Sequence, residues 1–113
     1  MKPVLILKRV LVMEVKEINF AKVSFAGFLS NAPQERCFVM VGDACEYAEK
    51  CLKTRVKELQ DRKDLPRNII HDTGMYSTGA GWFRTVVLGC KNYHSIETLS
   101  YQVLYKNLFL HYR

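Results

Sequence analysis

Leu11, Met13 and Val15 alternate with Val12, Glu14 and Lys16, the two-residue period of a strand whose far end has one wet face. The residues before and after are rich in Val, Leu and Ile, so residues 4–18 predict one long strand, bent at Lys8 and Arg9. Residues 20–28 predict a strand that pairs back with it, with Val23 and Phe25 sharing a face and Gly27 marking a bend. A turn at Asn31, Ala32 and Pro33 leads to a short third strand over residues 36–41.

The period then changes. Ala44, Cys45, Ala48, Leu52, Val56 and Leu59 fall within about 120° on a helical wheel, one amphipathic face. Asp43 followed by Glu46 has the spacing of a capping box, and Pro66 bars the helix from continuing, which predicts a helix from Asp43 to about Lys63. Residues 68–71 predict a short strand, residues 72–81 a loop with three glycines, residues 82–88 a further strand, and residues 89–93 a turn.

Residues 95–113 are the most informative segment. Wound as a helix with Ser95 as its N-cap, they place Ile96, Leu99, Val103 and Leu110 on one face and Tyr101, Leu104, Tyr105, Leu108, Phe109 and Tyr112 on the opposite half. One face serves the domain's own core, and the second needs another cover. The same residues also suit a hairpin, since residues 101–106 and 108–112 are β-prone and Lys106 and Asn107 can turn between them. With the helical reading the order is β-β-β-α-β-β-α, an α+β domain whose mostly antiparallel sheet has about five strands and two helices.

At 113 residues the chain is expected to be one domain, residues 1–113, and its 49% apolar and 25% charged composition is that of a folded soluble protein. The apolar start of the chain is broken by Lys8 and Arg9 as a secretory leader would not be, and no run is long enough to span a membrane. A cytoplasmic protein is expected, with Cys37, Cys45, Cys51 and Cys90 as thiols.

Charge and the remaining motifs narrow the chemistry further. Seventeen basic against eleven acidic residues give +6, which favours an anionic partner without naming one. Asp72, Thr73 and Gly74 form the triplet that carries the carboxylate of aspartic proteases, but too few residues follow for that fold, and a turn aspartate is the better reading. Cys90 and His94 have the spacing of half a zinc site with no second half, so no metal or cofactor is expected. Cys90, ahead of a helix start, is the thiol to test for reactivity.

Arg55 and Arg62, seven residues apart, line the margin of the first helix's apolar face. If no acid meets them they point at an anion. Tyr76 sits near the tip of the glycine-bearing loop, between Arg67 and Arg84, as an aromatic able to stack on a base. Arg55, Arg62, Arg67, Tyr76 and Arg84 are therefore the candidate contacts to single-stranded nucleic acid. Tyr101, Leu104, Tyr105, Leu108, Phe109 and Tyr112 are the candidate interface of a homodimer. The resulting expectation is a small binding protein without an enzymatic signature, nucleic-acid-associated and self-associating through its C-terminal segment. The alternative is a protein-binding regulator or inhibitor that uses the same aromatic face.

Overall fold

The computed structural model describes residues 14–28, 32–93 and 95–112. It contains β1 (Glu14–Ala26), β2 (Arg36–Phe38), α1 (Val41–Gln60), β3 (Asn68–Asp72), β4 (Tyr76–Thr78), β5 (Gly81–Gly89) and β6 (Glu97–Tyr112). Every strand pair is antiparallel, in the order β2-β1-β6-β5-β3, and β4 joins the same flank of β5 as β3. The α+β class and the mostly antiparallel sheet are as the sequence predicts. The count differs, with six strands and one helix among the described residues in place of about five and two.

The second helix is replaced by a strand. Leu99, Tyr101 and Val103 are buried at a spacing of two, while Ser100 between them is half-buried and Thr98 and Gln102, of the same alternate set, are exposed. What the helical wheel spreads over two apolar faces is one face of a strand plus the residues of its other face. The rival hairpin does not form either, because Lys106 and Asn107 run straight on, paired with Phe20 and Asn19 of β1. β6 lies between β1 and β5, so hydrogen bonds on both sides override any helical preference of the segment.

The predicted pairing of residues 20–28 with residues 4–18 is also corrected. Over 14–26 there is no glycine or proline to turn on, and β1 runs through Asn19 without a break. Residues 4–13 lie outside the described residues. β1 ends at Gly27, whose φ is +86 and where a Cβ would overlap the carbonyl oxygen of Thr98, so only glycine fits.

α1 starts two residues before Asp43, with Met40 as N-cap and no side-chain cap, so the predicted capping box is absent. Asp43 instead sits in the first turn, where its charge favours the positive end of the helix. The helix ends at Gln60, three residues short of Lys63, closed by the Asp61 N–H donating to the Lys57 carbonyl. Ala44, Ala48, Leu52 and Leu59 are its buried stripe. That stripe packs on Ala21 and Val23 of β1, Leu99, Tyr101 and Val103 of β6, and Val86 and Leu88 of β5. The register sets Val23 against Val103 and Leu99 against Val86, so these positions share the helix-facing side of the sheet. Alanines at 44 and 48 let the helix axis approach the sheet closely. No helix among the described residues is long and apolar enough to cross a membrane.

Candidate functional site

The sheet is not of uniform width. β1 and β6 pair from Glu14↔Tyr112 to Ala26↔Ser100, yet β5 accompanies β6 only to Leu104 and β2 meets β1 only at residues 21–23. Residues 14–20 and 106–112 therefore form a two-stranded ribbon about 20 Å long at roughly 3.3 Å per residue.

The phase of its free hydrogen-bonding groups follows from one bond. The Tyr105 N–H donates to the Ala80 carbonyl at 3.1 Å, so Tyr105 turns its backbone away from β1. By alternation Asn107, Phe109 and His111 do the same, and opposite Tyr105 the backbone of Ala21 turns away from β6, as do Asn19, Glu17 and Val15. Beyond Tyr105 and Ala21 these outward groups meet no strand among the described residues.

The helix-facing side of the ribbon turns polar beyond the N-terminus of α1. The Asn107 side-chain amide donates to Glu17 Oε2 and, at 2.7 Å, to Asn19 Oδ1. Beside the ribbon's base lie Val39, which is 79% exposed, Met40 at 63% and Tyr105 at 46%. Phe20 and Val41 help to line a hollow of about 340 Å³ with Val39, Tyr105 and Lys106. Tyr105 meets the Trp82 ring edge to face at 5.3 Å, which fixes one side of this apolar patch.

A second feature lies between α1 and the segment leading into β2. The Arg36 guanidinium lies over both the Phe38 and Tyr47 rings, 4.9 Å from each centroid, and the two rings meet each other at 5.4 Å. The Tyr47 hydroxyl donates to the Gln34 carbonyl at 2.7 Å and ties that segment to the helix. Below them is an open groove of about 710 Å³.

A third feature is a polar network under the helix. Arg84 donates Nη1 to Glu49 Oε1 at 2.6 Å, Nη2 to Asp72 Oδ2 at 2.7 Å and Nε to Asp72 Oδ1 at 3.0 Å. The Tyr101 hydroxyl donates to Glu49 Oε2 at 2.6 Å. Burial pushes the Glu49 carboxyl up, but the bonds from Tyr101 and Arg84 outweigh it and hold the group below its ordinary value. The Arg84 bond holds Asp72 low as well. Burial, and then the bond to Glu49, keep Tyr101 well above an ordinary tyrosine. Every polar group of this network is matched by another within it. Its effect is to fasten the helix to β5, β6 and the end of β3.

The structure does not bring the five candidate nucleic-acid contacts to one surface. Arg84 spends all three donor nitrogens within the network. Arg67 is 7% exposed, donates Nε to the Ser95 carbonyl at 3.0 Å and places Nη1 2.9 Å from Glu97 Oε2. Arg62 makes two bonds to Asp64. Arg55 meets Glu58 at 3.1 Å through Nη1, but its buried Nε has no partner. Tyr76 lies on the sheet side away from the helix, stacked on Phe83 at 5.7 Å.

Of the candidate interface, Tyr101 is a core residue, 2% exposed, since a strand sends it to the helix side. Leu104 and Tyr105 point to opposite sides of the sheet, and only Tyr105 is exposed. Leu108, Phe109 and Tyr112 belong to the ribbon, and their side chains lie outside the described residues, as does His94. Cys90 is half-buried and precedes a single 3₁₀ turn at Lys91–Tyr93, so the helix start expected to activate it is absent.

Sequence reasoning passes over Glu49, Arg36 and the Val39–Met40 pair. Glu49 is four residues from Cys45 and three from Leu52, a carboxylate at the apolar face of the wheel, and that placement is itself a signal of a buried cation opposite. Arg36 gives no such signal, because its two ring partners come from a strand and a helix joined only by the fold. No family model, curated protein or solved structure matches this chain.

Proposed function

We propose that this chain is a non-enzymatic binding protein that associates with a second copy of itself through the free edges of the β1–β6 ribbon. The observation that carries the reading is the extension of β1 and β6 beyond every other strand, with their outward N–H and C=O groups unpaired among the described residues. Two-stranded ribbons are marginal in water by themselves, and an open edge is a template for another strand. A copy of the same ribbon supplies a strand of the same length and pattern. The exposed Val39, Met40 and Tyr105 at its base supply apolar area that edge hydrogen bonds alone lack. This keeps the association on the C-terminal segment while moving it from a helix face to a strand edge.

Static light scattering at about 100 μM chain tests it, a concentration that populates even a weak dimer. A mass of twice the chain is expected, and a monomer mass there overturns the reading.

Single-stranded nucleic acid is the second reading, favoured by one observation. Tyr76 and Phe83 stack on the open side of the sheet, beside a hollow of about 220 Å³ lined by Ser24, Thr85, Ser100 and Gln102. Anisotropy titration of a short oligonucleotide at about 50 mM salt is its test, with affinity expected to fall steeply as salt rises.

A further inference from the structure

The groove between α1 and the segment before β2 has properties that neither the core nor the ribbon uses. Arg36, Lys50 and Arg55 line it, with Glu58 as the one carboxylate among the described residues, and Glu58 is already engaged by Arg55 Nη1. Of the acids next to these cations in sequence, Glu35 is paired with Lys22 at 3.5 Å and Glu49 with Arg84 at 2.6 Å. The Arg55 Nε atom is buried yet has no acceptor. A buried N–H without an acceptor carries its full desolvation cost, which a turn of the guanidinium toward an anion in the groove removes.

Arg36 is held in place by its two rings, so its N–H edges are oriented before anything binds. Phe28, Pro33 and the Tyr47 ring form an apolar wall beside these donors. The volume, about 710 Å³, lies in the range of small-molecule sites.

We propose that this groove binds a phosphate monoester carried on an aromatic body. The phosphate sits among Arg36, Lys50 and Arg55, and the ring lies against Phe28 and Tyr47. Phosphate is favoured over a carboxylate because it is a dianion with three terminal oxygens, facing two guanidiniums and one ammonium supplied by β2 and α1. None of the lining residues belongs to the ribbon, so the proposal is independent of self-association.

An NMR titration that observes the arginine Nε–H signals tests it, with phenyl phosphate, inorganic phosphate and phenol as probes. Phenyl phosphate is expected to shift the Arg55 Nε–H and to bind about fivefold or more tighter than inorganic phosphate, because ring burial adds to the charge contacts. Phenol is expected to leave the signal in place. Arg55→Lys keeps the charge but removes Nε, and it should weaken phenyl phosphate about tenfold, as loss of a charge-assisted hydrogen bond does. Arg36→Ala, at an exposed position of β2 rather than in the helix, is a second variant expected to weaken binding. Lys57→Gln, outside the groove, should change affinity less than about twofold. The proposal is overturned by an unmoved Arg55 signal at about 20 mM phenyl phosphate. Equal affinity for the two phosphates, phenol binding as well as phenyl phosphate, or full affinity in both variants would overturn it too.

Discussion

Tyr101, in the central strand of the sheet, donates its hydroxyl hydrogen to Glu49 of the helix at 2.6 Å, across 52 residues of chain. Glu49 in turn accepts from Arg84, and Arg84 from β5 reaches Asp72 at the end of β3. One carboxylate on an otherwise apolar helix face thus links three strands.

Removing one member strands its partners. Glu49→Gln should cost about 1–3 kcal/mol, because Arg84 loses a charged acceptor in a poorly hydrated site. Tyr101→Phe should cost less, and the double variant less than the sum of the two. Urea unfolding of all four proteins measures this coupling, and strict additivity would show that the hydroxyl and carboxylate do not act together.

The same groups set the pH limits of the fold. Glu49 and Asp72 titrate below their ordinary values in the folded chain. Their contribution is complete above the unfolded carboxylate range, at about pH 4, and disappears as pH falls through the folded values. Tyr101 is displaced upward, so its contribution is complete below the ordinary tyrosine value of about 10 and is lost as pH rises beyond it. Unfolding free energy measured from pH 2 to 11 should fall at both ends. Glu49→Gln should flatten the acid limb and Tyr101→Phe the alkaline one.

Helix register can be read from two neighbours. Leu52 is buried against the sheet and Lys53 points to solvent. Leu52→Ala should cost about 2–5 kcal/mol through the cavity it leaves, and Lys53→Ala less than about 0.5. Thermal or urea melts distinguish these readily.

Edge pairing predicts a difference between adjacent residues of β6. The Phe109 N–H points out of the ribbon, whereas that of Leu108 faces β1, by the alternation that Tyr105 fixes. Phe109→Pro should abolish self-association while leaving the β1–β6 ladder whole, and Leu108→Pro should disrupt the ladder itself. Tyr105→Glu, which places a charge in the apolar patch, should also give monomers. Light scattering reads the association and amide exchange reads the ladder. A dimer that survives Phe109→Pro would exclude the β6 edge as the contact.

The elements with a clear local period are legible in the sequence. The stripe of Ala44, Ala48, Leu52 and Leu59 repeats at helical spacing, and Pro66 stops it, so α1 is correct to within three residues at each end. β3 and β5 are bounded by turn residues and are correct to within one. Residues 97–112 fail because leucines and tyrosines at mixed spacings satisfy a wheel and a strand alike, and only the strands on either side decide between them. The sites fare similarly. Arg55 is visible in the sequence as a cation at the margin of the helix's apolar face, and only the fold shows that its Nε lacks an acceptor. Arg84 is not visible as a paired one, because Glu49 and Asp72 meet it only after the sheet has formed.

The pairing of β1 with β6 also has a kinetic meaning. Its partners are separated by 74 residues at Ala26 and Ser100 and by 98 at Glu14 and Tyr112. Local turns cannot nucleate such a ladder, and the entropy of closing so long a loop must be met before any of its hydrogen bonds form. β1 therefore waits through synthesis of the helix and four further strands, which at about 5–20 residues per second takes several seconds. Refolding of the purified chain should accordingly fall in the millisecond-to-second range of nonlocal β proteins, with the helix and the β5–β6 hairpin able to form ahead of closure.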